Sequence, residues 1–210
     1  AGTTDVLVLY KGAPVSTASI PVGGNLVTND IAVVTGISAA TAEKIKVENG
    51  CCWSPNITKE NDLEIIVPGV GGRDPDIIRQ SELCPIIQAR MEQIFTMVKA
   101  AIVKNTNDSI KQLSGNIILT GGGAMMDGVI ELAQNVFKTS SVRLGVPELL
   151  GGIPEDYRRP DYATVIGLVL ANKSLIQGKD NRKKSKVHGA KKAKEKSGES
   201  VFKKIFKSLF

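Results

Sequence analysis

The chain has 210 residues, 42% of them hydrophobic and 23% charged, a composition that excludes a fibrous chain and allows one substantial core or two small ones. Its net charge of +6 is unevenly placed: residues 179–210 hold 12 of the 27 Lys+Arg and 3 of the 21 Asp+Glu, a charge of +9 against −3 for residues 1–178. That division argues against an evenly basic nucleic-acid binder and for one localised anionic partner.

Residues 5–10, DVLVLY, the pair Lys11-Gly12 and the alternating run through VSTASIPV predict a strand, a tight turn and a second strand. From Asn29 the period becomes helical. Ile31, Val33 and Val34, then Ala42, Ile45, Lys46 and Val47, mark two helices separated by Gly36, and Asn49-Gly50 ends the second. Cys51, Cys52 and Cys84 form neither a disulfide framework nor a zinc spacing and read as reduced, buried thiols. LEIIVPGV predicts a short strand before the glycine turn Gly71-Gly72. Ser81 to Asn105 predicts a long helix with Pro85 in its first turn and a buried stripe of Leu83, Ile86, Ile87, Ile94, Val98 and Ile102.

NIILTGGGAMMDGV predicts a buried strand, a glycine loop and a helix through Phe137, and Tyr162 to Leu175 another apolar helix. Residues 178–197 are rich in Lys, Ser and Gly and nearly free of hydrophobic side chains, which predicts a disordered basic linker. The last stretch, residues 198–210, is amphipathic at helical spacing. Val201, Phe202, Ile205, Phe206, Leu209 and Phe210 share one face, and Lys203, Lys204 and Lys207 the other. It is far too short to span a bilayer, which takes about 20 apolar residues, so it is expected to lie on a surface. The lysine run lacks an aromatic residue for stacking bases, which weighs against a nucleic-acid arm.

Two glycine-rich turns suit phosphate or flat ligands, and one helix face carries a charged pair. Ala1-Gly2-Thr3-Thr4-Asp5 offers free amides and hydroxyls of a kind that can wrap phosphate oxygens. Gly121-Gly122-Gly123-Ala124, between a strand and a helix, lets a flat ligand approach the backbone, though it lacks the GxGxxG spacing of a dinucleotide fold. Glu43 and Lys46 lie three apart on one helix face, where an exposed ion pair is the default reading.

In this order and spacing the three stretches resemble the second half of the actin-like ATPase superfamily. AGTTD is similar to the end of its second phosphate motif and LTGGGA to its adenosine motif. VGGNLVTNDIAVVTGISAATAEKIKVENGC, VPGVGGR and the helix beginning RQSELCPII resemble one branch, the bacterial FtsA cell-division family, from Ala1 to about Ile176. The resemblance implies an α/β, ribonuclease H-like second lobe. Its subdomain 2A would comprise residues 1–24 and 84–177 and its subdomain 2B residues 25–83, followed by the linker and a membrane-targeting helix. It also implies ATP as ligand, with Gly2, Thr3 and Thr4 beside the β- and γ-phosphates and Gly24 near phosphates and ribose. Glu43 and Lys46 would face ribose and adenine, Gly121, Gly122 and Gly123 would form the adenine floor, and Met125 would lie against the base.

Ala1 occupies a position that is often Gly. The first phosphate loop and the groups that hold most of the Mg2+ belong to the family's N-terminal half, so this chain is expected to be half a nucleotide clamp, inactive alone. Implied partners are the tail of the FtsZ filament protein, further copies in protofilaments, other division proteins and the anionic inner face of the cytoplasmic membrane at the division site, with no nucleic acid. Arg73, Arg79 and Arg90 are candidates for meeting an acidic FtsZ peptide. The competing reading is a pure tether that binds nucleotide without significant hydrolysis.

Overall fold

The structure, a computed structural model, describes residues 1–69, 71–72, 74–106, 117–148 and 154–172. Two compact units divide the chain, residues 1–144 and 145–210.

In the first unit β1 (Thr4–Tyr10) and β2 (Ala13–Ile20) form an antiparallel hairpin. Lys11 (φ 49°) and Gly12 (φ 80°) both take the left-handed conformation at its two-residue turn, as a hairpin with right-handed twist requires. Two helices follow, α1 (Gly24–Thr35) and α2 (Ala39–Asn49). Gly36 closes α1 at φ 68°, its N–H bonded to Ala32 O, and the Ser38 hydroxyl caps α2 by accepting from Thr41 N–H at 3.1 Å.

α1 buries Val27, Thr28 and Ile31, whereas Val33 and Val34 stand 72% and 63% exposed. Helical spacing puts Val33 off the stripe of Val27 and Ile31, whereas Val34, three residues after Ile31, falls on that stripe in the last turn of α1 and is exposed all the same. In α2, Ala42 and Ile45 are buried and Val47 points outward.

β3 (Glu64–Val67) pairs antiparallel with β4 (Asp76–Arg79), Ile65 opposite Ile78 and Ile66 opposite Ile77. The long helix α3 (Gln80–Asn105) starts where Asp62 accepts from Ser81 N–H at 2.9 Å and Glu82 from Arg79 N–H at 3.1 Å. Pro85 lies in the second turn, not the first as expected, because these caps set the start at Gln80. A proline there deprives the Ser81 carbonyl of its helical donor. The buried stripe is Leu83, Cys84, Ile87, Met91, Ile94, Phe95 and Val98, with Ile86 and Ile102 half-buried.

β5 (Ile117–Leu119) and β6 (Val142–Leu144) run parallel, linked through α4 (Val129–Phe137). β5 is half-buried rather than buried. Its middle residue Ile118 points away from the core with half its surface exposed, while Leu119 packs against the core.

One core joins α1, α2, β3, α3 and α4, with Ile31, Leu83, Ile87 and Leu132 among its fully buried side chains. Each such burial stabilises the unit by about 1.5–3 kcal/mol. Phe95 and Phe137 meet with ring centroids 5.9 Å apart. Cys51, Cys52 and Cys84 are free and buried. Burial pushes the Cys51 thiol up to about 12 and raises Cys52 further.

In the second unit, two short turns, Glu155–Tyr157 and Pro160–Tyr162, precede α5 over residues 163–172. Tyr157 and Tyr162 pack edge to face at 4.9 Å, and Arg159 pairs with Asp161 at 2.9 Å. The expected linker and amphipathic helix lie outside the described residues. Among those described, no helix is long and apolar enough to cross a membrane.

Candidate functional site

The first glycine-rich stretch meets the start of α1. Asn25 N–H donates to Ala1 O at 3.0 Å, and the Thr4 hydroxyl donates to Val22 O at 2.7 Å, so the Ala1–Thr4 strand entrance lies against the helix N-terminus. Gly23 makes this approach possible. A Cβ there would sit 2.7 Å from Ala1 O and 3.0 Å from both Thr3 N and Thr3 O, whereas one on Gly24 would meet, among the described residues, only Lys46 Nζ, at 3.5 Å. The tight position of the pair is thus Gly23, while Gly24, the residue expected near phosphates and ribose, has room for a Cβ. A Cβ on Gly2 would meet none of the described residues within 4 Å.

α2 packs on α1 and brings Lys46 to Gly24 and Glu43 to Thr28. Lys46 Nζ donates to Gly24 O at 3.1 Å, to Thr28 Oγ1 at 2.8 Å and to Glu43 Oε2 at 2.6 Å. The Thr28 hydroxyl also bonds Glu43 Oε2. The pair is not the exposed ion pair of the default reading: Lys46 keeps 10% of its side chain exposed and Glu43 48%. Burial alone would raise the Glu43 carboxyl pKa. Hydrogen bonds from Lys46 and Thr28 and the Lys46 charge outweigh that effect and hold the group below its ordinary value. Thr28 was missed in the sequence, although a hydroxyl on the apolar stripe one turn after Gly24 is a usable signal.

The second glycine loop leaves the C-terminal end of β5, the edge at which parallel α/β sheets bind ligands. Gly121 turns at φ 87°, Ala124 N–H bonds Gly121 O at 3.1 Å, and Gly122–Met125 form a 3-10 turn. Cβ atoms on Gly121, Gly122 or Gly123 would meet nothing among the described residues within 4 Å, and Met125 is 46% exposed. The following helix does not abut this loop as expected, because Gly128 at φ 75° starts α4 beyond it.

A parallel bridge between Cys51 and Asp127 and a 2.9 Å bond from Cys52 N–H to Asp127 O fasten the loop exit to the segment after α2. Gly128 lies so close to Trp53 that no side chain fits. The helix carrying Glu43 and Lys46 and the glycine loop therefore share one scaffold.

Arg79 and Arg90 are elsewhere and already engaged. Arg79 pairs with Glu64 at 3.2 Å. Arg90 grips Asp30 through Nε at 2.5 Å and Nη2 at 2.9 Å, which raises its pKa, and also bonds Gln93. An acidic peptide would have to compete for either. Arg73 and the tail residues Val201 to Phe210 lie outside the described residues. No group of three or more His, Cys, Asp and Glu side chains among the described residues could hold a metal ion.

The fold is that of the actin-like proteins. It is similar to MreB5 of Spiroplasma citri bound to ADP, with TM-score 0.62 at 18% identity over 86% of this chain and 53% of that one. It is also similar to the same protein bound to AMPPNP, with TM-score 0.60 at 20% identity over 84% and 53%. Within that class, the family model "Cell division protein FtsA" matches residues 1–167, and the chain belongs to the FtsA family. It is 38% identical over 169 residues to the FtsA of Borreliella burgdorferi, 36% over 173 to that of Escherichia coli and 32% over 180 to that of Bacillus subtilis. These alignments cover 80–85% of this chain and 38–40% of the relatives, so the chain spans about 40% of their length.

Proposed function

We propose that the chain is the nucleotide-binding second lobe of a division protein that binds ATP, polymerises as an actin-like filament and holds the FtsZ ring to the cytoplasmic membrane. The observation that carries this reading is the convergence of the Ala1–Thr4 entrance, the start of α1 and the Glu43 carboxylate, all built from the motifs on which the family resemblance rests. Among the described residues, the space over Gly2 and over Gly121 to Gly123 is open, which fits a ligand that comes close to the backbone at both glycine turns.

In this reading the amides of Gly2, Thr3 and Thr4 meet phosphate oxygens, Gly24 lies near the ribose, Glu43 accepts ribose hydroxyls, and Met125 covers the base. Mg2+ would neutralise phosphate charge when bound, held mainly by groups of the first lobe. ADP and AMPPNP are the nucleotides bound by the MreB5 neighbours, which supports an adenine nucleotide here.

The subdomain boundaries near residues 24 and 84 belong to the same proposal. So does the tail, whose six apolar side chains would immerse at an anionic interface while Lys203, Lys204 and Lys207 add on the order of 1 kcal/mol each. A filament presenting many tails would bind persistently where one copy binds reversibly. The test is sedimentation of the full-length protein with FtsZ and vesicles containing phosphatidylglycerol. The parent should carry FtsZ into the pellet, and Phe206→Glu should leave both in the supernatant. A parent that never pellets, or a variant that pellets as well as the parent, contradicts the tether.

A further inference from the structure

We propose that Thr28 is a positioning residue for the Glu43 carboxylate, and that Lys46 serves the same end instead of contacting the ligand; the inference rests on the nucleotide reading above. Thr28 is the one polar residue among the described residues that is buried, with 7% of its surface exposed. Its hydroxyl sits between two charged groups and links them.

The hydrogen-bond inventory fixes how. An ammonium has three donors and no acceptor, and Lys46 spends all three, on Gly24 O, Thr28 Oγ1 and Glu43 Oε2. Because the Thr28 oxygen accepts from Lys46, its single proton is left for an acceptor. The Glu43 Oε2 atom lies closer than Gly24 O, which is 3.1 Å away. Both bonds to the carboxylate thus converge on Oε2. No side chain among the described residues bonds Oε1, on a side chain that is 48% exposed.

One oxygen is clamped and the other presented. A carboxylate fixed in this way accepts from a vicinal pair of hydroxyls and repels phosphate, so the clamp confers selectivity for the ribose. For Lys46 to reach a phosphate instead, a side chain only 10% exposed would have to give up three acceptors. Without the Thr28 hydroxyl, Lys46 loses one acceptor and Glu43 one donor, and the carboxylate is free to turn.

The test titrates the full-length protein with ATP and with 2′-deoxy-ATP by isothermal calorimetry, for the parent, Thr28→Val and Thr28→Ser. A hydrogen bond to a charged acceptor gives the parent a preference for ATP of about tenfold or more. Thr28→Val should reduce the ratio to near one, and Thr28→Ser should restore it. Because the ratio is taken within each variant, a general loss of affinity or stability cancels. Thr28→Val should also raise the Glu43 carboxyl pKa seen by 13C NMR without nucleotide.

A valine variant that keeps the parent's ratio and the parent's Glu43 pKa, or a serine variant that behaves as the valine one does, overturns the role of Thr28. A parent that binds ATP with no preference over the deoxynucleotide overturns this inference alone. A parent that binds neither nucleotide overturns the ATP reading, and this inference with it.

Discussion

Gly23 and Gly24 are adjacent glycines with opposite expected responses to a methyl group. Gly23 is extended (φ −160°), so alanine there suffers no backbone strain, and the whole effect is steric. Its Cβ would lie 2.7 Å from Ala1 O and 3.0 Å from Thr3 N and O, and all three are backbone atoms of the proposed phosphate strand. Relief requires that strand to move away from α1, against the 3.0 Å bond from Asn25 N–H to Ala1 O. Overpacking of this kind costs about 1–3 kcal/mol.

At Gly24 the new methyl meets only the end of the Lys46 side chain at 3.5 Å, an ordinary contact, and the first helical position gains from alanine by up to about 1 kcal/mol. In thermal unfolding of the full-length protein, Gly23→Ala should lower Tm, by roughly 2–4 °C per kcal/mol for a unit of this size, and weaken ATP binding. Gly24→Ala should leave Tm level or higher. If the two variants unfold together, or if Gly24→Ala is the worse of the pair, the close approach at Gly23 is not what holds the strand.

Two further outcomes follow from buried groups. Cys51, Cys52 and Cys84 should resist a thiol reagent such as dithionitrobenzoate in the native protein and react in guanidinium, since burial keeps Cys51 and Cys52 protonated at neutral pH; prompt native labelling would contradict the core assignment. The Glu43 carboxyl is held below the ordinary glutamate value, so its contribution to stability is complete above that ordinary value and is lost as pH falls through the lowered one; a Glu43→Gln variant should show a smaller loss of stability on acidification than the parent, and identical acid unfolding curves would contradict the clamp.

Much of the fold could be read in the sequence, because its punctuation is local. Lys11-Gly12, Gly36 and Gly50 each mark a turn or helix end whose cause lies within a few residues. What could not be read depends on distant partners. β4 is only four residues long and runs straight into α3, so Asp76–Arg79 is defined by its register against β3 rather than by any period of its own. The exposure of Val34 could not be read from the period either, since that residue shares the helical stripe of the buried Val27 and Ile31.

In the site, Glu43 and Lys46 were legible as an i, i+3 pair, but the near-complete burial of Lys46 comes from Gly24 and Thr28 on another helix. Gly23, not Gly24, carries the steric demand, because only the folded approach of Ala1 to Thr3 distinguishes two neighbouring glycines.

The central claim is that the glycine loop after β5 forms part of an ATP site, and Gly122 probes it most directly. A Cβ there meets no atom of the described residues within 4 Å, so Gly122→Asp should unfold at the parent's temperature. By placing a carboxylate where the nucleotide would approach, it should lower ATP affinity at least tenfold in calorimetric titration of the full-length protein. A Gly122→Asp protein that folds as the parent does and binds ATP equally well would contradict the account.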